Sequence, residues 1–175
     1  MKSPTLCLLL VALAAPVAAQ HDHAAATQPY ADLTARTIKA LSEQEVADLA
    51  SGNGMGFALP AELNGYPGPK HTLELADVLG LTEDQRTRTQ ALYDRMNAAA
   101  RELGAALIEA ERSLDQAFVD RQMDEGRLID LTEQAGTLRT RLRAEHLRAH
   151  LQMMDILTNA QVHSYNMQRG YHSGH

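Results

Sequence analysis

The sequence predicts an all-α fold, a long antiparallel helical hairpin with shorter flanking helices. Three observations carry that prediction. Two apolar stripes of matched length, over 83–119 and 125–157, repeat every three or four residues. The pattern Leu-Thr-x-x-Gln occurs at 81–85 and again at 157–161, and each copy is a helix start. No stretch combines apolar alternation with β-branched enrichment, so strand signals are absent.

Residues 1–19 read as a signal peptide. Lys2 supplies the charged start, Leu6 to Val17 the apolar run, and Val17-Ala18-Ala19 a small-residue cleavage site. The run is broken by Pro16 and falls short of the ~20 apolar residues that span a bilayer, so cleavage rather than anchoring is expected. Residues 20–29 form a flexible lead. The region 30–70 opens with a helical stretch bearing Leu33, Ile38 and Leu41. Ser42 then restarts the chain with a capping box to Glu45, and this helix is expected to run out at Ser51-Gly52. From 52 to 69 the glycines and prolines preclude a long helix. The same stretch holds Met55, Phe57, Leu59, Leu63 and Tyr66, which makes it an ordered loop packed on the helical body rather than a free linker.

The helical domain proper is expected over 71–169. Helix resumes near His71 and stops at Gly80. After Thr82 comes the longest element, ~50 Å long, with Leu92, Met96, Ala99, Leu103, Leu107, Ala110, Leu114 and Phe118 on one stripe. The chain turns at Asp120–Gly126. The next helix carries Leu128, Leu131, Ala135, Leu138, Leu142, Ala149, Met153 and Ile156 on the same rhythm, and matched stripes pair as an antiparallel hairpin. A shorter helix follows Thr158, and 170–175 form a tail. One hairpin leaves a broad side uncovered, so the short helices or a second copy must cover it; a homodimer is expected.

Composition narrows the function classes. Removal of 1–19 takes away Cys7, and the mature chain then has no cysteine for disulfides or thiol chemistry. There is no Trp and aromatic content is 4%, which points to thin Ala/Leu helix packing. Net charge is −6, and −7 once Lys2 is lost. An acidic chain without a basic block argues against nucleic acid as a partner. No later segment is apolar enough to span a membrane.

In each Leu-Thr-x-x-Gln copy, Thr82 or Thr158 takes the N-cap, and Gln85 or Gln161 reaches back to the cap residue's N–H. Leu157 can staple onto Val162, whereas Leu81 meets the stem of Arg86. Two such motifs, each led by Leu and flanking long amphipathic helices in a secreted chain, resemble the Spy/CpxP group of periplasmic proteins, over roughly residues 71–169. The resemblance implies a thin, curved antiparallel dimer whose concave surface holds partly unfolded proteins without ATP. On that reading Arg139, Arg143, Leu147 and Leu151 are the client-binding residues, an amphipathic edge with Arg148 beside it. That group presents a distinctly basic cradle, whereas here the Arg cluster is local and the chain acidic.

The candidate for chemistry is 146–154, His-Leu-Arg-Ala-His-Leu-Gln-Met-Met. His146, His150 and Met153 fall within a ~60° arc of one helix face, with Met154 ~40° beyond His150. Two histidines four apart can chelate one ion, and a thioether beside them suits Cu(I) or a late divalent metal. The CnrX-like nickel/cobalt sensors of the wider superfamily also place Met four residues after a His, as His150 and Met154 do. Such sensors complete the site with His and Glu from other helices, and His71 with Glu74 is the nearest offer here. The competing reading has His146 and His150 edging the apolar stripe, half-buried and hydrogen-bonded, with the methionines as core filler. His21, His23, His172 and His175 add terminal imidazoles, and His23 could join a Cu(II) or Ni(II) site only if the mature chain began at His21.

Catalysis is not expected. No Ser sits in a strand–turn–helix elbow, Lys39 and Lys70 are the only lysines after cleavage, and neither a phosphate loop nor HExxH occurs. Two functions stay open. One is an ATP-independent periplasmic chaperone for unfolded proteins, needing no cofactor. The other is a periplasmic resistance or sensor protein for Cu, Ni, Co or Zn. Ligands converging on His150 would favour metal; an open apolar groove would favour clients.

Overall fold

The computed structural model describes residues 28–171. The chain divides after Asp32, and the helical body belongs to the unit that begins at Leu33. A 3-10 turn at Ala31–Ala35 takes the place of the first expected helix, and Ile38 and Leu41 then pair across a tight bridge with both side chains buried. Among the described residues six α-helices come next, α1 (Glu43–Ser51), α2 (Leu59–Glu62), α3 (Pro69–Glu74), α4 (Glu83–Val119), α5 (Glu125–Met153) and α6 (Asn159–Gln168). The described residues are all-helical, and α4 packs along α5 as expected.

The α4–α5 pair is antiparallel. Leu92 near the start of α4 shares a core with Ala149 and Met153 at the end of α5, while Leu107 and Ile108 meet Leu142 further along. The stripe is not a strict heptad. Ala117 is fully buried and Phe118, the next residue, is exposed. An α-helix turns by 3.6 residues, so a stripe read on three-and-four steps drifts off the seam over ten turns. Phe118, Val119, Leu128 and Ile129 are all exposed at the hairpin tip, which lies past the reach of the short helices.

Those short helices cover the other end. α1 begins at Ser42, whose hydroxyl accepts the Glu45 N–H at 3.2 Å while the Glu45 carboxylate accepts the Ser42 N–H at 2.8 Å. The Ser42 N–H, and after it the Ser42 hydroxyl donating to the same oxygen at 2.7 Å, hold the Glu45 carboxyl below the usual carboxylate range. α1 lies on α4 at Gly104, where an added Cβ would sit 2.2 Å from the Leu49 carbonyl oxygen. Only a glycine lets the two backbones come this close. α2 and α3 rest against α5, and α3 also against α4. Met55 and Phe57 pack on the core, so the Gly/Pro-rich stretch is ordered, although Leu59, Leu63 and Tyr66 point outward.

Both Leu-Thr-x-x-Gln copies form complete capping boxes, at Thr82 and Thr158. They also do something that capping alone does not require. The side chains of Gln85 and Gln161 pair with each other, Gln85 Nε2 donating to Gln161 Oε1 at 2.8 Å and Gln161 Nε2 to Gln85 Oε1 at 2.9 Å. The remaining amide hydrogens go to the Ile156 carbonyl at 2.9 Å and the Leu79 carbonyl at 3.4 Å. Every amide hydrogen of the pair therefore has an acceptor. The motif clasps the start of α6 to the start of α4, with Leu81 and Leu157 buried beside it.

Candidate functional site

Between the loop that begins at Gly52, α2, α3, α4 and the end of α5, with Arg169 and Tyr171 just beyond α6, lies a cavity of ≈ 400 Å³. Its polar centre is Glu62, the last residue of α2, which is only 6% exposed. A carboxylate at such depth must be paired or hydrogen-bonded, because burial strips away its water. Four side chains surround it. The Tyr165 hydroxyl, from α6, donates to Oε1 at 2.6 Å, and Arg169 Nε stands 3.6 Å from the same oxygen. His71 Nδ1, from α3, lies 3.4 Å from Oε1, and His150 Nδ1, from α5, lies 3.5 Å from Oε2. Tyr165 is fully buried, and burial, then Glu62, push its phenol far above the ordinary range. It therefore stays protonated and acts as a donor.

His150 is oriented by the loop. Its Nδ1 is 2.8 Å from the Tyr66 carbonyl oxygen, close enough to donate there. With the proton on Nδ1, Nε2 is the nitrogen left to accept, and Gly68 lies against that edge of the ring. A Cβ at Gly68 would come within 3.1 Å of Nε2, 2.9 Å of Cε1 and 3.2 Å of Glu62 Oε2. The bare Cα at 68 is what lets the carboxylate and the imidazole stand together. The Gly68 N–H also donates to the Tyr165 oxygen at 3.3 Å.

One turn earlier, His146 lines the same cavity and is 4% exposed. Its ring stacks on Phe57, centroids 6.0 Å apart, and the Arg139 guanidinium lies 5.9 Å over the other partner of that stack, the Phe57 ring. Burial, then the neighbouring His150, lowers the His146 pKa below the usual histidine value, against a smaller opposite pull from Glu145. The imidazole is thus held neutral. Its buried Nε2 has no hydrogen-bond partner among the described residues.

The site differs from the expected set of His146, His150, Met153 and Met154. The two histidines share the cavity, but Met153 is fully buried in the core between α4 and α5, and Met154 is exposed beyond the end of α5. The thioethers that do line the cavity beside them are Met55 of the loop and Met96 of α4. His71 takes part, with Glu62 rather than the exposed Glu74 as its carboxylate. Glu62 was legible only as one polar residue in the apolar Gly/Pro-rich loop, a weak signal. Of the client-binding candidates, Arg143 and Leu151 are exposed, Leu147 is half-buried, and Arg139 covers Phe57. His21, His23, His172 and His175 lie outside the described residues.

The donor types suit a late divalent ion, imidazole and carboxylate with a thioether nearby. Among the described residues, however, no group of three or more His, Asp or Glu side chains is arranged as it stands to hold a metal. The cause is local. Glu62 Oε1 is engaged by Tyr165, and His150 Nδ1 by Tyr66, so the donors face their present partners instead of one shared point.

A family model described as heavy-metal resistance matches residues 54–163, well over half of the chain. The chain belongs to the heavy-metal-resistance family. That family falls within the Leu-Thr-x-x-Gln helical superfamily to which the repeated motif pointed. The match begins in the Gly/Pro-rich loop and so takes in Glu62, His71, His146 and His150. No curated protein and no solved structure matches the chain. None of the described helices is long and apolar enough to cross a membrane.

Proposed function

We propose that this protein is a periplasmic metal-binding resistance protein that takes a late divalent ion at Glu62, His71 and His150, with His146 beside them. The observation that carries this reading is the buried Glu62 carboxylate set between two imidazoles, in a cavity where a third, neutral imidazole has an unpartnered Nε2. Glu62 would supply negative charge, His71 and His150 neutral nitrogen donors, and the Tyr66 carbonyl the orientation of His150. A bound cation would add counter-charge at a buried carboxylate whose one cationic partner, Arg169, stands 3.6 Å away. The tailored polar cavity and the membership of a heavy-metal-resistance family support the same reading. The protein has no enzymatic role on this view.

Isothermal titration of the metal-free mature protein with Co²⁺, Ni²⁺, Zn²⁺ and Cu²⁺ tests it. One ion per chain is expected, with Glu62→Gln and His150→Ala each weakening binding at least about a hundredfold, the range reached when a ligand or its support is removed. Unchanged binding in both variants would remove the site.

A second reading, an ATP-independent holder of unfolded proteins, has its own support. Leu151 and Arg143 lie exposed along α5, and four large apolar residues are bare at the hairpin tip. Light scattering of an aggregating client, with and without chelator, separates the two. Leu147 and Leu151 changed together to Ser should weaken holding while His150→Ala leaves it intact. The reverse pattern would assign the activity to metal.

A further inference from the structure

We propose that Tyr165 and Arg169 set the metal affinity of this site by competing for Glu62, so that loading the ion loosens α6. The inference rests on the metal-binding reading and adds the residues that regulate it. Its basis is that one oxygen serves two roles. Glu62 Oε1 is the atom that His71 Nδ1 approaches at 3.4 Å, and it is also the atom held by the Tyr165 hydroxyl at 2.6 Å and faced by Arg169 Nε at 3.6 Å. An ion shared by His71 and Glu62 would occupy the space into which the hydroxyl proton and the guanidinium now point. A divalent charge there would repel Arg169 and compete with the Tyr165 hydroxyl for the electron density of Oε1. Both partners belong to the last turns of α6 or to the residue that caps it.

What α6 would lose is a large share of its attachment. Its start is clasped by Gln161 on Gln85, and Val162 packs beside it. Its C-terminal half is tied down by Tyr165, the only buried residue of the helix, and by Arg169 through Glu62 and Tyr171. Helices of this length do not hold themselves together in water, so losing the polar tie at Glu62 lets the second half open more often, even with the Tyr165 ring still in the core. The same competition explains why the donors do not already converge. The arrangement is a closed latch in which a phenol and a guanidinium occupy the carboxylate.

The test uses the mature protein, with Co²⁺ alone as the probe, its visible absorption giving the affinity, and amide hydrogen exchange over 159–171 giving the state of α6. In the wild type, Co²⁺ should speed exchange across the second half of α6 at least about fivefold while exchange over 85–110 does not rise. Tyr165→Phe keeps the ring in the core and deletes the competing hydroxyl. It should bind Co²⁺ about tenfold more tightly, the equivalent of one charge-assisted hydrogen bond that no longer has to be exchanged. Its α6 should exchange fast already without metal. Should Tyr165→Phe fail to fold, Arg169→Gln supplies the same comparison from the exposed side, with a smaller gain in affinity. Binding of Co²⁺ with α6 exchange and both variants' affinities unchanged would overturn the latch and leave the metal site standing. No Co²⁺ binding by the wild type or either variant would overturn both.

Discussion

At the scale of single residues, the site depends on what is missing as much as on what is present. Gly68 has an ordinary negative φ, so its role is space, not backbone freedom. Gly68→Ala would press a methyl against the His150 ring and Glu62, and is expected to cost about 1–3 kcal/mol as overpacking. Chemical denaturation should show that loss together with weaker Co²⁺ binding; an unaffected affinity would mean that His150 stands outside the site. His146 makes a second residue-level prediction. Its pKa is lowered in the fold by burial, so the unfolded chain takes up a proton first as pH falls. The stability contributed by the neutral, buried ring is therefore complete above the ordinary histidine value of about 6.5 and lost as pH falls below it toward the depressed folded value. Urea midpoints measured between neutral and mildly acidic pH should fall in the wild type and fall less in His146→Phe. Equal slopes would dismiss His146 as the group responsible.

At the scale of elements, the repeated motif was legible as a pair of helix caps and nothing in its sequence said that the two copies touch. The capping is local, three residues apart, and local hydrogen bonds can be read from spacing. The Gln85–Gln161 clasp joins positions 76 residues apart, and no spacing rule reaches that far. The two roles separate by mutation. Thr82→Ala or Thr158→Ala removes a cap bond and should cost about 1 kcal/mol. Gln85→Ala removes half a capping box, the Ile156 contact and the clasp, and should cost about 2 kcal/mol or more by the usual value of each bond. A double-mutant cycle of Gln85 with Gln161 should return a coupling of about 1 kcal/mol. A coupling near zero would reduce the motif to two independent caps. The apolar stripes show the same division. Their period predicted both long helices, yet which edge is buried at the tip depends on how far the seam drifts, and there Ala117 wins over Phe118.

At the scale of the whole molecule, the broad side of the hairpin is covered by α1, α2 and α3 over one end and left bare at the other. The exposed tip residues keep the expectation of a homodimer in place as a proposal, and sedimentation across micromolar concentrations checks it: a monomer throughout would withdraw it. Metal loading should act on the molecule as a unit. An ion that binds only the folded chain raises stability by about 2.7 kcal/mol at a hundred times its Kd. Differential scanning calorimetry with excess Co²⁺ should therefore show a Tm rise of about 5–10 °C. Glu62→Gln should abolish the rise. A rise that survives in that variant would place the ion elsewhere.

The amino-acid sequence alone determined the helical class, both long helices, the Ser42, Thr82 and Thr158 caps, and the pairing of matched stripes, although α5 closes at Met153 rather than at 157. All of these come from periodicity and from contacts within a few residues, where backbone geometry dictates which side chains meet. It also singled out His146 and His150, because two histidines four apart on one helix share a face whatever else the chain does. The partners of those histidines were decided by tertiary structure. Glu62, His71, Met96 and Tyr165 come from four other helices, and Glu74 and Met154, nearer in pattern, ended at the surface. A site assembled across the loop of 52–68 depends on how that loop folds back on α5. The close approach that folds it back, a glycine against an imidazole, leaves no periodic trace in the chain.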